Sequence, residues 1–307
     1  MNSGEYLLAE RAELQRILEN IPPGNAIDRA SFRSRLARVE RELSEIAPSP
    51  EPAKARLRFR GKPVVGSHGI FAEFGLSACK EFAETVSAMA ASFFLARPLA
   101  ASGRIPDREL YQLLVTGPAL GSFGFEFEEH EPIEGESAVA TAIDYTQNLL
   151  QGSVGSDEEL ADAASGIDER VLQKLREFLT LMVNNEATCA LEGRKGTFEF
   201  RDVGQVRQSL KRLAQENLHE RIIKLEGKFE GVLPRLRTFE FRVRESGELI
   251  TGKIGPGVDD AHPLNRHLNE HARVELKETR VGSGRPRFVL YSVPEWLENP
   301  TTPGLFG

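Results

Sequence analysis

Cysteine is scarce: two in 307 residues, Cys79 and Cys189, in separate segments. That excludes a disulfide framework and fits a reducing compartment. No apolar run approaches the ~18 residues of a membrane span. The longest, residues 88–96, reads as the buried part of a helix. The first residues, Met-Asn-Ser-Gly-Glu, lack the charged-then-apolar pattern of a secretory signal. Together these absences predict a cytoplasmic protein with no membrane role. No G-x-S-x-G elbow occurs, and Cys79, in mid-helix, and Cys189, in a strand, read as core. Acidic pairs such as Glu128-Glu129 and Asp259-Asp260 are too common to mark a site. There is no internal repeat and no low-complexity tract. A net charge of −7 argues against bulk binding of polyanions.

What is present is a strong β signal near the C-terminus. Thr238-Phe239-Glu240-Phe241-Arg242-Val243-Arg244 alternates apolar and polar residues, the period of a strand with one buried face. Glu245-Ser246-Gly247-Glu248 is turn chemistry, and residues 249–254 resume a strand. Residues 222–232, 274–279 and 287–291 supply further strands. Gly227, Gly231 and Gly252 lie inside them, where glycine marks bulges and barrel corners. About five strands in some 70 residues predict a small closed barrel, SH3-like or OB-like, because closure removes exposed edges.

The rest of the chain reads as α+β. Leu7, Leu14, Leu18 and Ile21, then Phe32, Leu36, Val39, Leu43 and Ile46, follow a heptad seam broken by Pro22-Pro23-Gly24-Asn25. This predicts an antiparallel helical hairpin, with residues 5–46 as an arm for self-association or for docking a protein partner. Pro48-Ser49-Pro50-Glu51-Pro52 reads as a stiff linker. A strand over residues 55–65 carries Arg56, Arg58, Arg60 and Lys62 on one face. A helix follows over 70–96, ended by Pro98, then strands near 111–116 and 121–128 and a helix over 137–150. Residues 152–166 read as a polar, acidic loop. A helix over 168–184, a hairpin over 188–201 and a helix over 203–218 complete the chain. The expected domains are 1–48 (hairpin), 53–150 (α+β), 151–218 (helical connector with β-hairpin), 219–294 (barrel) and 295–307 (tail).

Three features invite a site. His267-Leu268-Asn269-Glu270-His271 is the H-x-x-E-H pattern. On a helix its histidines share a face and bind Zn²⁺, with the glutamate as general base. His262 is a further nearby ligand. A ten-residue link inside a small β domain is poor context for that motif, so no resident cofactor is expected. Residues 219–294 hold 14 Lys+Arg and 11 Asp+Glu, a net of +3. Arg235, Arg237, Arg242, Arg244, Arg280, Arg285 and Arg287 are therefore candidates for a nucleic-acid surface on the barrel. Gly61-Lys-Pro-Val-Val-Gly-Ser-His-Gly69 lacks the phosphate-loop order, though a helix N-terminus near Ser67–Ile70 would attract an anion. Gly121-Ser-Phe-Gly124 is a weaker case of the same kind.

The LRFRGKPV strand with GSHGI after it, the GSFGFE strand, and TFEFRV with ITGKI and VGSGRPRFVL together resemble a group of uncharacterised bacterial proteins of similar layout. The resemblance spans most of the chain and implies no activity and no site residue. The expectation is a non-enzymatic interaction or scaffold subunit of a bacterial multi-protein assembly, antiviral defence being one setting. A nucleic-acid-binding barrel is the alternative, and a zinc hydrolase at H-x-x-E-H the third reading.

Overall fold

The computed structural model describes residues 3–21, 25–45, 51–94, 99–100, 102–119, 123–132, 137–255 and 257–297. The expected Pro22–Gly24 loop break, the division at residue 49, the Pro98 helix stop, the Gly121-Ser122 pair and the end of the tail lie outside these residues. By compactness the chain divides into two units, residues 1–51 with 132–135 and all the rest.

In the first unit α1 (Ser3–Asn20) and α2 (Ala26–Glu45) share a small core. Leu7, Leu14 and Val39 are buried, with Phe32 and Leu36 half-buried against them. The Arg35 guanidinium donates to Glu10 Oε1 at 2.6 and 2.8 Å.

The second unit is mixed α+β and carries a closed five-stranded β-barrel in its C-terminal region. It opens with β1 (Lys54–Gly61), the short pair β2 (Val64–Val65) and β3 (Gly69–Ile70), and α3 (Ala72–Phe94). Next come β4 (Leu113–Pro118), β5 (Gly124–Glu129), α4 (Ala138–Val154), α5 (Asp157–Ala164), α6 (Glu169–Asn184), β6 (Ala187–Gly193), β7 (Gly196–Glu199) and α7 (Val203–Arg212). An antiparallel sheet runs β4-β5-β1-β6-β7. Alternation in β1 decides its faces. Ala55, Leu57 and Phe59 enter the core with Phe74, Phe82 and Phe178 of the helices. Lys54, Arg56, Arg58 and Arg60 stand on the other face, where Lys54, Arg56 and Arg60 pair with Glu128, Glu126 and Glu199. Because β6 pairs directly with β1, the sheet crosses the expected division at residue 150, which falls inside α4.

Residues 152–166 are not a loop. α4 continues to Val154, and Ser156 and Glu159 form a capping box that starts α5. The acidic residues face solvent while Leu160, Ala161, Ala163 and Ala164 are buried. Small alanines built a buried face that a reading of polarity alone overlooks.

The barrel comprises β8 (Leu218–Leu233), β9 (Thr238–Val243), β10 (Leu249–Ile254), β11 (His271–Val281) and β12 (Arg287–Leu290), with β13 (Glu295–Trp296) added outside β11. The order is β12-β10-β9-β8-β11, and β11 pairs with β12 to close the ring; β10 and β12 run parallel. Phe229, Phe239 and Phe241 fill the interior in edge-to-face contacts at 5.0–5.9 Å. Gly227 permits this crossing, since a Cβ there would lie 2.0 Å from the Arg242 carbonyl oxygen. β8 and β11 pair over eleven positions, and the outer ends of this ribbon, Leu218 and Val281, belong to the main helical core. Lys253 Nζ meets Asp162 Oδ1 of α5 at 3.0 Å, and Lys277 donates to the Ile167 carbonyl. The barrel is thereby fixed to the helical layer.

Candidate functional site

The least protected part of the second unit is the β4 edge of the five-stranded sheet. The barrel closes on itself, and the opposite sheet edge, β7, is four residues long and carries the Glu199–Arg60 pair. β4 reads Leu-Leu-Val-Thr-Gly-Pro, uncharged and apolar through its first three residues, and pairs only with β5 among the described residues. Val115 lies opposite Phe127, which packs under Phe82, so Val115 points to the helical face. Leu114 lies opposite Glu128 and points to the other. The pairing register shifts between Val115 and Gly117.

α3 packs near β5, the neighbour of this edge, and against the turn that leads into β4. At one end a Cβ on Gly75 would sit 3.3 Å from the Phe125 ring, and Phe125 is paired with Pro118. At the other, Ser87 Oγ donates to the Tyr111 carbonyl and Arg108 pairs with Glu84. Leu114 and Val115 of β4 are exposed at 43% and 53%, and Leu110, in the turn that leads into β4, at 51%. Natural sheets blunt such edges with charge, proline or bulges. Here Pro118 and the register shift protect only the far end.

The barrel arginines do not form one surface. Arg237 turns inward: Nη2 donates to the Gly255 and Val258 carbonyls at 2.8 and 2.7 Å, with longer bonds to Ile254 and Asp259. Arg242 is held by both oxygens of Glu230 at 2.8 Å. Arg244 faces Glu226 at 3.9 Å, Arg280 faces Glu278 at 3.3 Å, and Arg287 faces Asp162 of α5 at 3.9 Å. Arg235 and Arg285 are exposed and have no ion pair among the described residues.

His267 and His271 do not share a helix face. His267 ends a short 3-10 turn, His262–His267, and His271 begins β11. Asn269 between them takes a left-handed backbone, φ 66°, which breaks any helix. The imidazole of His267 stacks on Trp296, centroids 4.2 Å apart, and its Nδ1 lies 2.8 Å from Glu270 Oε2. His262 starts the turn, its backbone N–H held by Asp260. Among the described residues no three His, Cys, Asp or Glu side chains converge in a metal-holding group. The helical H-x-x-E-H premise is therefore corrected: these residues bridge two strands and brace Trp296.

The GSHG turn lies between β2 and β3, and α3 starts only at Ala72, so residues 67–70 do not form a helix N-terminus. Burial pushes the Cys79 thiol up to about 11 and that of Cys189 to about 12, so neither is a thiolate at neutral pH. Burial also raises the Glu220 carboxyl, against the opposing pull of Lys277 at 2.8 Å.

Compared with family models, curated proteins and solved structures, the chain matches none.

Leu114 and Val115 were not singled out from sequence, and Arg237 was singled out only as one of seven surface arginines. Arg237 looks like any surface arginine until its left-handed φ of 49° aims it at four carbonyls. Leu114 and Val115 look like strand core, and only the sheet order puts them on an edge.

Proposed function

We propose that the protein is a non-enzymatic interaction or scaffold subunit of a larger bacterial assembly. The observation that carries this is the open β4 edge with Leu114 and Val115 exposed on its two faces, since an uncharged apolar edge strand invites pairing with another chain. Two further parts favour it. Among the described residues α1 and α2 share a core of three buried side chains, and helices draw most of their stability from such packing. Arg29 reaches the Ile21 carbonyl near their junction and Arg35 reaches Glu10 further out, which favours the antiparallel hairpin reading. The barrel, of the SH3-like or OB-like kind, has a filled core and presents only its outside. The cysteines' raised pKa values weigh against thiol catalysis. A nucleic-acid surface has less support, because five of its seven arginines are engaged within the protein.

The test is isolation of the full-length protein from its native cell under mild salt, followed by native mass spectrometry. Recovery in a complex or as an oligomer supports the proposal. Recovery as a lone 34.1 kDa chain overturns it.

A further inference from the structure

We propose that β4 pairs with β4 of a second copy of this chain, joining two five-stranded sheets across a two-fold axis near Leu114. This rests on the reading of the chain as an interaction protein and names the contact.

The backbone argument comes first. An edge strand presents a row of unpaired N–H and C=O groups, which an antiparallel strand satisfies without rearrangement. The stretch from Leu113 to Val115 precedes both the register shift and Pro118, so its outer edge has no built-in block. Side chains then select the partner. β4 is uncharged, and it is apolar on both faces, Leu114 on one and Val115 on the other. Its best complement is an equally uncharged strand that is apolar on both faces, and the chain itself carries one. Two-fold pairing of identical patches is also the commonest oligomer geometry.

Exposed Leu114 and Val115 on β4, and Leu110 in the turn that leads into it, give an added strand apolar contact beside its backbone bonds. In the joined sheet the two Leu114 side chains meet on the outer face. Val115 faces Leu113 of the second copy on the helical face.

The experiment is sedimentation of the full-length chain across about 1 to 100 μM, the span of a micromolar dissociation constant. The variants are Leu114→Lys and, as a control on the β8–β9 turn, Leu236→Lys; both positions are exposed. Trp296 fluorescence verifies that each variant is folded. The expected result is a mass rising to twice the chain, weakened at least tenfold by Leu114→Lys and unchanged in the control. A dimer that persists in Leu114→Lys overturns the proposal. If that dimer is lost instead in Tyr6→Glu, association runs through α1; the interaction reading then stands and the edge pairing fails. A wild-type chain that is monomeric throughout overturns the edge pairing, and if nothing co-purifies with it the interaction reading falls as well.

Discussion

Arg237 offers the sharpest separation between a structural and a binding role for the barrel arginines. Its guanidinium bridges the Ile254, Gly255, Val258 and Asp259 carbonyls, tying the end of β10 and the segment after it to the β8–β9 turn. The bonds to Gly255 and Val258, at 2.8 and 2.7 Å, are the shortest of the four. A hydrogen bond to a charged group contributes about 1.5–3 kcal/mol, and water replaces part of each at this half-exposed place, so Arg237→Ala costs about 2–3 kcal/mol. The backbone adds a second effect. At φ 49° a side chain with a Cβ pays about 1 kcal/mol that glycine does not. Arg237→Gly therefore loses the same bonds yet is milder than Arg237→Ala by about 1 kcal/mol. For a unit of this size 1 kcal/mol moves Tm by about 2–4 °C, so Arg237→Ala lowers Tm by roughly 5–10 °C. Urea unfolding followed by Trp296 fluorescence reads both variants. An Arg237→Ala protein with wild-type Tm and urea midpoint refutes the reasoning. If it also loses salt-sensitive oligonucleotide binding, the nucleic-acid reading gains what the structural one loses.

Phe241 is fully buried against Phe229, and Phe241→Ala is expected to cost about 3–5 kcal/mol. Trp296, which packs on Phe229 at 5.9 Å, reports that loss by fluorescence. Ser156→Ala removes the acceptor that starts α5 and costs about 1 kcal/mol in thermal unfolding. Glu220 has a folded pKa above its unfolded value, so the folded state binds more protons and the wild type loses stability as pH rises from about 4.5. Glu220→Gln removes that slope. Urea midpoints across pH 4 to 7 should move in favour of the variant as pH rises, and parallel profiles would contradict the assignment.

Local pattern made much of the fold legible. The alternation in β9 and β1, the helical stripe of α6 and the β6–β7 hairpin all depend on neighbours in sequence. The nonlocal facts were not legible. Nothing in Arg287–Leu290 says that it runs parallel to β10, or that it closes a ring by pairing with β11. α5 escaped because its buried side is mostly alanine, although Ser156 and Glu159 spell a capping box in the sequence. The H-x-x-E-H pattern misled because a motif's chemistry lives in its helix, and here the chain turns left-handed at Asn269 and enters β11 instead. For the candidate site the limit is the same. Leu114 has the same local pattern in a central strand as in an edge strand, and only the strand order separates the two.

The most direct measurement of the central claim is hydrogen exchange of the full-length chain, compared between dilute and concentrated protein. Slowed exchange confined to residues 112–118, growing with concentration, is the predicted result. Exchange at β4 that stays fast at every concentration, with or without slowing elsewhere, contradicts it.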